Sequence, residues 1–323
     1  MEITLPTLID LFSATKQTEG RSPRTISWYR DFLTRFAGFA GKGGEARLRD
    51  VSIDTAREFI ASLQSQTKRF VGHPKHPEED GGLSPNTIHG YVRALKAFAS
   101  WLHEEGFTTS NIFARLKRPK VPQPMIEILS DKEIGDIFNS INPNCVLGAR
   151  MYAIALLLLD TGMRATELCT LTLENTLMDE GYAKVKGKGN KERIVPFGAG
   201  TKKALIRYVT TFRPEPTSAA NEDNRLILTP WGEPLTYIGL SKAIKRLAHT
   251  SGITRLHAHL FRHTFAVNYL MNGGDVMTLK LILGHTTLDV TQVYMHLAEA
   301  HVKVQHERFS PVDRLGIGSK RRK

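Results

Sequence analysis

The sequence predicts a mainly α-helical protein in two domains, with a small β-sheet or hairpin in the second. Three patterns predict it: capped amphipathic segments in the first third, a proline-rich basic stretch near residue 120, and one strand–turn–strand pattern among further helical runs. At 323 residues the chain also exceeds the size at which a single core usually stops growing, so two domains are expected.

Ser22-Pro23 sets an N-cap and a first-turn proline ahead of Trp28, Phe32, Phe36 and Phe39, which recur at helical spacing until glycines close the segment. Ser52 opens a second helix, SIDTAREFIASLQ. Ser84-Pro85 opens a third, with an apolar stripe through Ile88, Tyr91, Leu95, Phe98 and Leu102. Aromatics at this spacing read as core rather than as platforms for stacked bases. Between the second and third helices, Thr67 to Gly82 is rich in proline, glycine and polar residues, and an exposed loop is expected. His73 and His76 within it lack companion ligands, which favours a solvated loop over a metal site.

Leu116 to Met125 (LKRPKVPQPM) carries prolines at 119, 122 and 124 among Lys117, Arg118 and Lys120. Such a linker is extended and semi-rigid, and its cations would suit a phosphate backbone; a plain domain boundary explains it equally well. The expected division is a helical domain over 1–117, a linker over 118–127, a second domain over 128–309 and a basic tail over 310–323. Ser130 with Glu133 three residues on forms a capping-box signature for the second domain's first helix. Helices follow through Tyr152–Asp160 and Thr166–Leu171. AKVKGKGNKERIVPF then reads as a hairpin turning at Gly187, Gly189 and Asn190. A further helix and a short LILT strand come next, and the chain is expected to be helical from about Tyr237 onward, finishing in SKRRK.

Composition narrows the partner. Hydrophobic content of 41% and charged content of 24% are those of a soluble globular protein. A net charge of +12 and a pI near 9.7 suggest a polyanion, with nucleic acid ahead of an anionic membrane surface. The longest apolar run, Ala153 to Leu159, is far too short to span a bilayer, and the N-terminus lacks the features of a signal peptide. Cys145 and Cys169 form no disulfide framework or metal spacing; Cys169, inside ATELCTL, reads as a buried structural thiol. A reducing, cytosolic setting is expected.

Four islands in the second domain carry chemistry. Arg164 stands in DTGMRATEL and Lys188 at the hairpin tip GKGNKER. His259 and Arg262 lie three apart in HAHLFRHTFA. His285 precedes Tyr294 by nine residues in LGHTTLDVTQVYMH. Each alone has a plain reading: a salt-bridge arginine, a solvated lysine, a capping histidine, a core tyrosine. His259 and His263, at i and i+4, lack the glutamate and third ligand that zinc would need. Together, two arginines, two histidines, a lysine and a tyrosine form a phosphate-handling set without clustered carboxylates, which disfavours a two-metal nuclease. Guanidiniums present forked donors to non-bridging phosphate oxygens and can stabilise the charge that builds there. A phenol with a pKa of about 10 needs a base or a positive field to attack near neutral pH, and a mobile lysine suits protonation of a departing hydroxyl.

In order and spacing, TGMRATEL, GKGNKER, HxFRH, LGHTTL and TQVYMH resemble the boxes of the tyrosine recombinase (phage integrase) family, in the manner of its bacterial Xer-type members, and the likeness spans essentially the whole chain. It implies a two-domain C-shaped clamp, with a helical core-binding domain and a mixed α/β catalytic domain. It implies that Arg164 and Arg262 bind the scissile phosphate and that Lys188 (with Lys191 as rival) protonates the leaving 5′ oxygen. His259 would be general base or phosphate contact, and His285 a phosphate hydrogen-bonder. Tyr294 would attack to give a 3′-phosphotyrosyl link, and Glu167 would orient its neighbours. Because one ester replaces another, no cofactor and no metal are implied. The implied partners are double-stranded DNA with specific core sites and a homo-tetramer on synapsed DNA, formed from a monomer or weak oligomer through a Holliday-junction intermediate. An accessory recombinase or directionality factor is a further implied partner, and no membrane is implied. Arg24, Asn86, Thr87, Lys117, Arg118 and Lys120 are candidate DNA contacts that surface solvation explains as well.

The role is open at this point. The region 67–82 and the basic tail depart from a minimal Xer pattern and lean towards integration, excision or transposition of a mobile element. Resolution of chromosome or plasmid dimers is the alternative. A non-catalytic DNA-binding regulator and a type IB topoisomerase are further readings. The segment after Tyr294, HLAEAHVKVQHERF, would dock on a neighbouring subunit or pack on its own domain.

Overall fold

A computed structural model of the chain describes residues 3–69, 78–120, 126–187, 192–217 and 224–285, together with Tyr294, His306, Ser310 and Val312. Its contacts divide it into two compact units, Met1–Pro124 and Met125–Lys323.

The first unit is built on four helices: α1 (Leu5–Thr18), α2 (Pro23–Ala40), α3 (Ile53–Gln64) and α4 (Pro85–Glu104). Each starts on a hydroxyl cap. The side chains of Thr4, Ser22, Ser52 and Ser84 accept from the backbone N–H three residues on, satisfying one of the donors that a helix start leaves open. Such a cap contributes about 1 kcal/mol. α1 is not among the helices expected from sequence, although Thr4 precedes Leu5-Pro6 and Leu5, Leu8, Ile9 and Phe12 line its buried face. The stripe expected on α4 is buried throughout. On α2 the seam runs instead through Leu33, Phe36, Ala37 and Ala40, with Trp28, Phe32 and Phe39 half-buried beside it. Phe12 ties the helices together, edge-on to both Phe98 and Trp101 at 5.5 Å.

The expectation of a plain loop over Thr67–Gly82 needs correction. β1 (Lys68–Arg69) pairs antiparallel with β2 (Glu79–Asp80), and Gly81, at φ +116°, donates its N–H to Thr67. Two-residue strands carry no alternation a sequence can display. His73 and His76 lie outside the described residues.

In the second unit, α5 (Asp131–Asn139) begins at a reciprocal box between Ser130 and Glu133. The buried helix α6 (Val146–Thr161) follows, ending at Gly162 in the left-handed conformation. Next come α7 (Ala165–Thr170) and a three-stranded antiparallel sheet of β3 (Thr176–Leu177), β4 (Tyr182–Lys186) and β5 (Glu192–Pro196). β4 and β5 pair from Tyr182 with Pro196 to Lys186 with Glu192, the two arms of the expected hairpin. After α8 (Ala199–Arg207) and a π-helical turn over Tyr208–Phe212, the LILT segment is buried but is not a strand. Isolated bridges join Arg225, just before it, to Thr172 and Leu228 within it to Pro234, and Pro234 has no N–H with which to extend a ladder. The helices α9 (Tyr237–Thr250), α10 (Ala258–Met271) and α11 (Val276–Leu283) follow. The segment after Tyr294 expected to be helical, and the SKRRK tail, fall outside the described residues apart from His306, Ser310 and Val312.

No helix among the described residues is long and apolar enough to cross a membrane. Cys145 is exposed, whereas burial pushes the half-buried Cys169 thiol up to about 11, which keeps it protonated and inert.

Candidate active site

The site is organised around the C-terminus of α11. That helix ends at Gly284, whose φ of +63° turns the chain sharply and leaves the last carbonyls pointing outward. Three consecutive carbonyls there are taken by three arginines from distant parts of the chain. Arg193 of β5 donates from Nε to Ile282 at 2.7 Å, Arg262 of α10 from Nη2 to Leu283 at 2.7 Å, and Arg164, the N-cap of α7, from Nη2 to Gly284 at 3.2 Å. Cations at a helix C-terminus also meet the favourable end of its dipole.

Arg262 is the most enclosed, 1% exposed. Its Nη1 donates to the carbonyl of Gly162 at 2.7 Å, and Nη2 also donates to His285 Nε2 at 2.8 Å. Burial, and then the nearby positive charge of Arg164, lower its guanidinium to about 10, so it stays charged at neutral pH. Because His285 accepts through Nε2, its ring proton belongs on Nδ1. Burial followed by Arg262 and Arg164 lowers this imidazole to about 4, so it is neutral.

Glu167, 3% exposed, balances the arginines. Arg193 donates to both its oxygens at 2.7 and 2.8 Å, Arg164 adds a side-chain bond at 2.9 Å, and the Arg164 backbone N–H donates at 2.7 Å. Burial alone would raise this carboxyl, but the bonds from Arg193 and Arg164 outweigh it and hold it below the usual range.

Tyr294 is 3% exposed and packs among Ala266, Val267, Leu270, Leu279 and Leu283 of α10 and α11. Its hydroxyl lies 2.8 Å from His263 Nδ1, and its ring is parallel to that of His285, 6.4 Å away. Burial raises the phenol above its ordinary value, while Arg262 and Arg164 pull against that rise. His259 stands one helical turn before His263, ring centroids 4.4 Å apart. The surrounding protein, and then Arg262, make it a weaker base than a free histidine. A cleft of about 600 Å³ opens beside Arg164 and His259, with Tyr237, Ser241, Lys245 and His257 on its walls.

The structure thus brings together Arg164, Glu167, His259, Arg262, His285 and Tyr294. Lys188 and its rival Lys191 lie outside the described residues. Arg24, Asn86, Lys117, Arg118 and Lys120 are exposed in the first unit, and Thr87 is half-buried with its hydroxyl 2.9 Å from that of Ser84 in the α4 cap. Two residues were missed. Arg193 was readable, since alternation along β5 sets it in phase with buried Val195. His263 suggests from sequence only a zinc partner, and its contact with Tyr294 spans 31 positions that no local pattern displays. Among the described residues no group of three or more potential metal ligands occurs.

The description "Phage integrase family" matches residues 127–301, more than half of the chain and the whole of the site just described. The chain belongs to the phage integrase family. As a member of these tyrosine recombinases it is a site-specific DNA strand transferase. Similar family members include the tyrosine recombinase XerC of Oceanobacillus iheyensis, 29% identical over 96% of this chain and 97% of the relative. XerD of Listeria monocytogenes is 30% identical over 90% of this chain and 94% of the relative. Among solved structures, the fold is similar to that of the Tn1549 transposon integrase in complex with transposon right end DNA, at a TM-score of 0.71 and 19% identity over 95% and 99% of the two chains. It is also similar to the XerH recombinase bound to its difH substrate after cleavage, at 0.69 and 21% over 90% and 82%.

Proposed function

We propose that this recombinase cuts duplex DNA at specific core sites through Tyr294, holds the strand as a 3′-phosphotyrosyl ester and rejoins it to a new partner. The observation that carries the reading is the placement of the Tyr294 hydroxyl within the field of Arg262 and Arg164, hydrogen-bonded to an imidazole. A phenol in that position has what attack on phosphorus needs: a charge clamp for the phosphate oxygens and a proton acceptor. Arg164 and Arg262 would hold the scissile phosphate, with Glu167 fixing Arg164. His259 would contact a phosphate oxygen, and Lys188 would protonate the leaving 5′ oxygen. His285 would act through Arg262, since its Nε2 is engaged there. The cleft walled by Tyr237, Ser241 and Lys245 would take the strand beside the scissile phosphate.

A nicked suicide substrate tests the nucleophile. Wild-type protein should form a covalent adduct that survives a denaturing gel, and Tyr294→Phe should bind the same DNA without forming one. An adduct with Tyr294→Phe would overturn the assignment; no adduct from either protein would favour a regulator.

For the biological role, Xer-type resolution of chromosome or plasmid dimers is the better supported reading, because full-length relatives in two bacteria are XerC and XerD. The lean towards a mobile element drawn from 67–82 and the basic tail is weaker, and likeness to a transposon integrase at 19% identity bears on the fold alone. Synapsis by four protomers, a Holliday-junction intermediate, a second recombinase or accessory factor, and a cytosolic site of action belong to this reading. Crossing of a two-site plasmid, with junction products resolved on a gel, separates it from topoisomerase-like relaxation, which needs no synapsis.

A further inference from the structure

We propose that His263 is a catalytic residue, the group that takes the Tyr294 phenol proton as the oxygen attacks phosphorus. The inference rests on Tyr294 being the nucleophile, and it assigns to His263 a duty that the family resemblance placed on His259.

The geometry singles it out. His263 Nδ1 lies 2.8 Å from the Tyr294 hydroxyl, within direct proton-transfer distance. His285 has Nε2 committed to Arg262, and the His259 ring stands beyond that of His263 on the same face of α10. The contact is half-buried against α10 and α11, so bulk water does not replace it easily. The groups that face His263 are the Tyr294 hydroxyl, His259, His257 and Arg262; those that face Tyr294 are Arg262, Arg164 and His285.

These neighbours define how the base works. Burial, and then the histidines and Arg262 around it, lower His263 to about 4, so at neutral pH its ring is uncharged and can accept a proton. An arriving phosphodiester offsets the positive field of the arginines and thereby strengthens the base when the substrate is in place. The step assigns His263 the tautomer with its proton on Nε2. The Tyr294 Oη–P bond forms, the P–O5′ bond breaks, the phenol proton passes to Nδ1, and the departing 5′ oxygen takes a proton from the general acid assigned to Lys188. Rejoining runs the same transfers backwards, with His263 returning its proton to the released phenolate.

The test is single-turnover cleavage of a suicide substrate between pH 6 and 9.5 by full-length wild type, His263→Ala, His263→Asn and His259→Ala. Wild type should be nearly flat with pH. His263→Ala should lose about 10²–10⁴-fold at pH 7 and regain roughly tenfold per pH unit as the phenol ionises. A fluorinated tyrosine at 294, with a more acidic phenol, should recover most of the loss. His263→Asn keeps a polar group of similar reach but no base, and should behave like His263→Ala; it carries the test should His263→Ala fold poorly. Wild-type rates in His263→Asn, or a loss that neither pH nor the acidic phenol repairs, would overturn the proposal. Failure of the nucleophile assignment is separately visible, as an adduct in Tyr294→Phe.

Discussion

Arg193 meets Glu167 end-on, Nη1 and Nη2 each donating to its own carboxylate oxygen, at 2.7 and 2.8 Å. The pair is enclosed and also anchors Arg164, so removing the carboxylate leaves two cations close together without their counter-charge. Glu167→Ala should destabilise the protein by about 3–5 kcal/mol, the usual cost of stranding one partner of a buried ion pair. Glu167→Gln, which keeps part of the hydrogen bonding, should cost less. Chemical denaturation measures both, and a loss near zero for the alanine variant would contradict the role drawn for the pair.

Acid should weaken the fold in two stages. His263 and His285 are each lowered from 6.5 to about 4. Between those values the unfolded chain binds protons that the folded chain refuses, so stability falls as pH drops from 6.5 towards 4. Glu167 acts with the same sign further down. Its folded value lies below 4.5, so its contribution is complete above 4.5 and is lost as pH falls through the folded value. Melting temperature recorded from pH 8 to 5 should decline, and His263→Gln should flatten the decline.

Arg262→Lys should cleave far more slowly without losing DNA binding. A lysine ammonium carries the charge but not the planar fork that reaches Gly162, Leu283 and His285 at once. Cleavage should drop by about 10²–10³-fold, the scale of losing one aligned oxyanion donor, while a gel-shift constant at fixed salt changes little.

Gly162→Ala should harm both fold and site. At φ +59° a side chain costs about 1–2 kcal/mol. A β-carbon there would also sit 2.4 Å from Phe265 Cδ1 and 2.9 Å from Leu283 Cδ2. Because the Gly162 carbonyl holds Arg262, the adduct assay should register the change along with the melting temperature.

Local chemistry explains which parts were legible in advance. The helices α2, α3 and α4 announce themselves through serine caps, and the β4–β5 hairpin through alternation around a glycine turn. Thr4 offers the same signal for α1, but it stands at the very start of the chain, where no preceding element sets it off as a cap. LILT has strand composition, yet its partners are single bridges dictated by tertiary position. The islands bearing Arg164, Arg262, His285 and Tyr294 were visible as residue types. What the carbonyls of Ile282, Leu283 and Gly284 do for the arginines was not, because backbone acceptors have no letter in a sequence.

Those three carbonyls make the cations of the site a single mechanical part. Arg164, Arg193 and Arg262 come from a cap, a strand and a helix, yet all hang from one turn at the end of an eight-residue helix. None can be retuned alone: a small rotation of that turn would misalign all three guanidiniums together and carry His285 with them. The alignment of the whole cationic set therefore rests on the position of one turn.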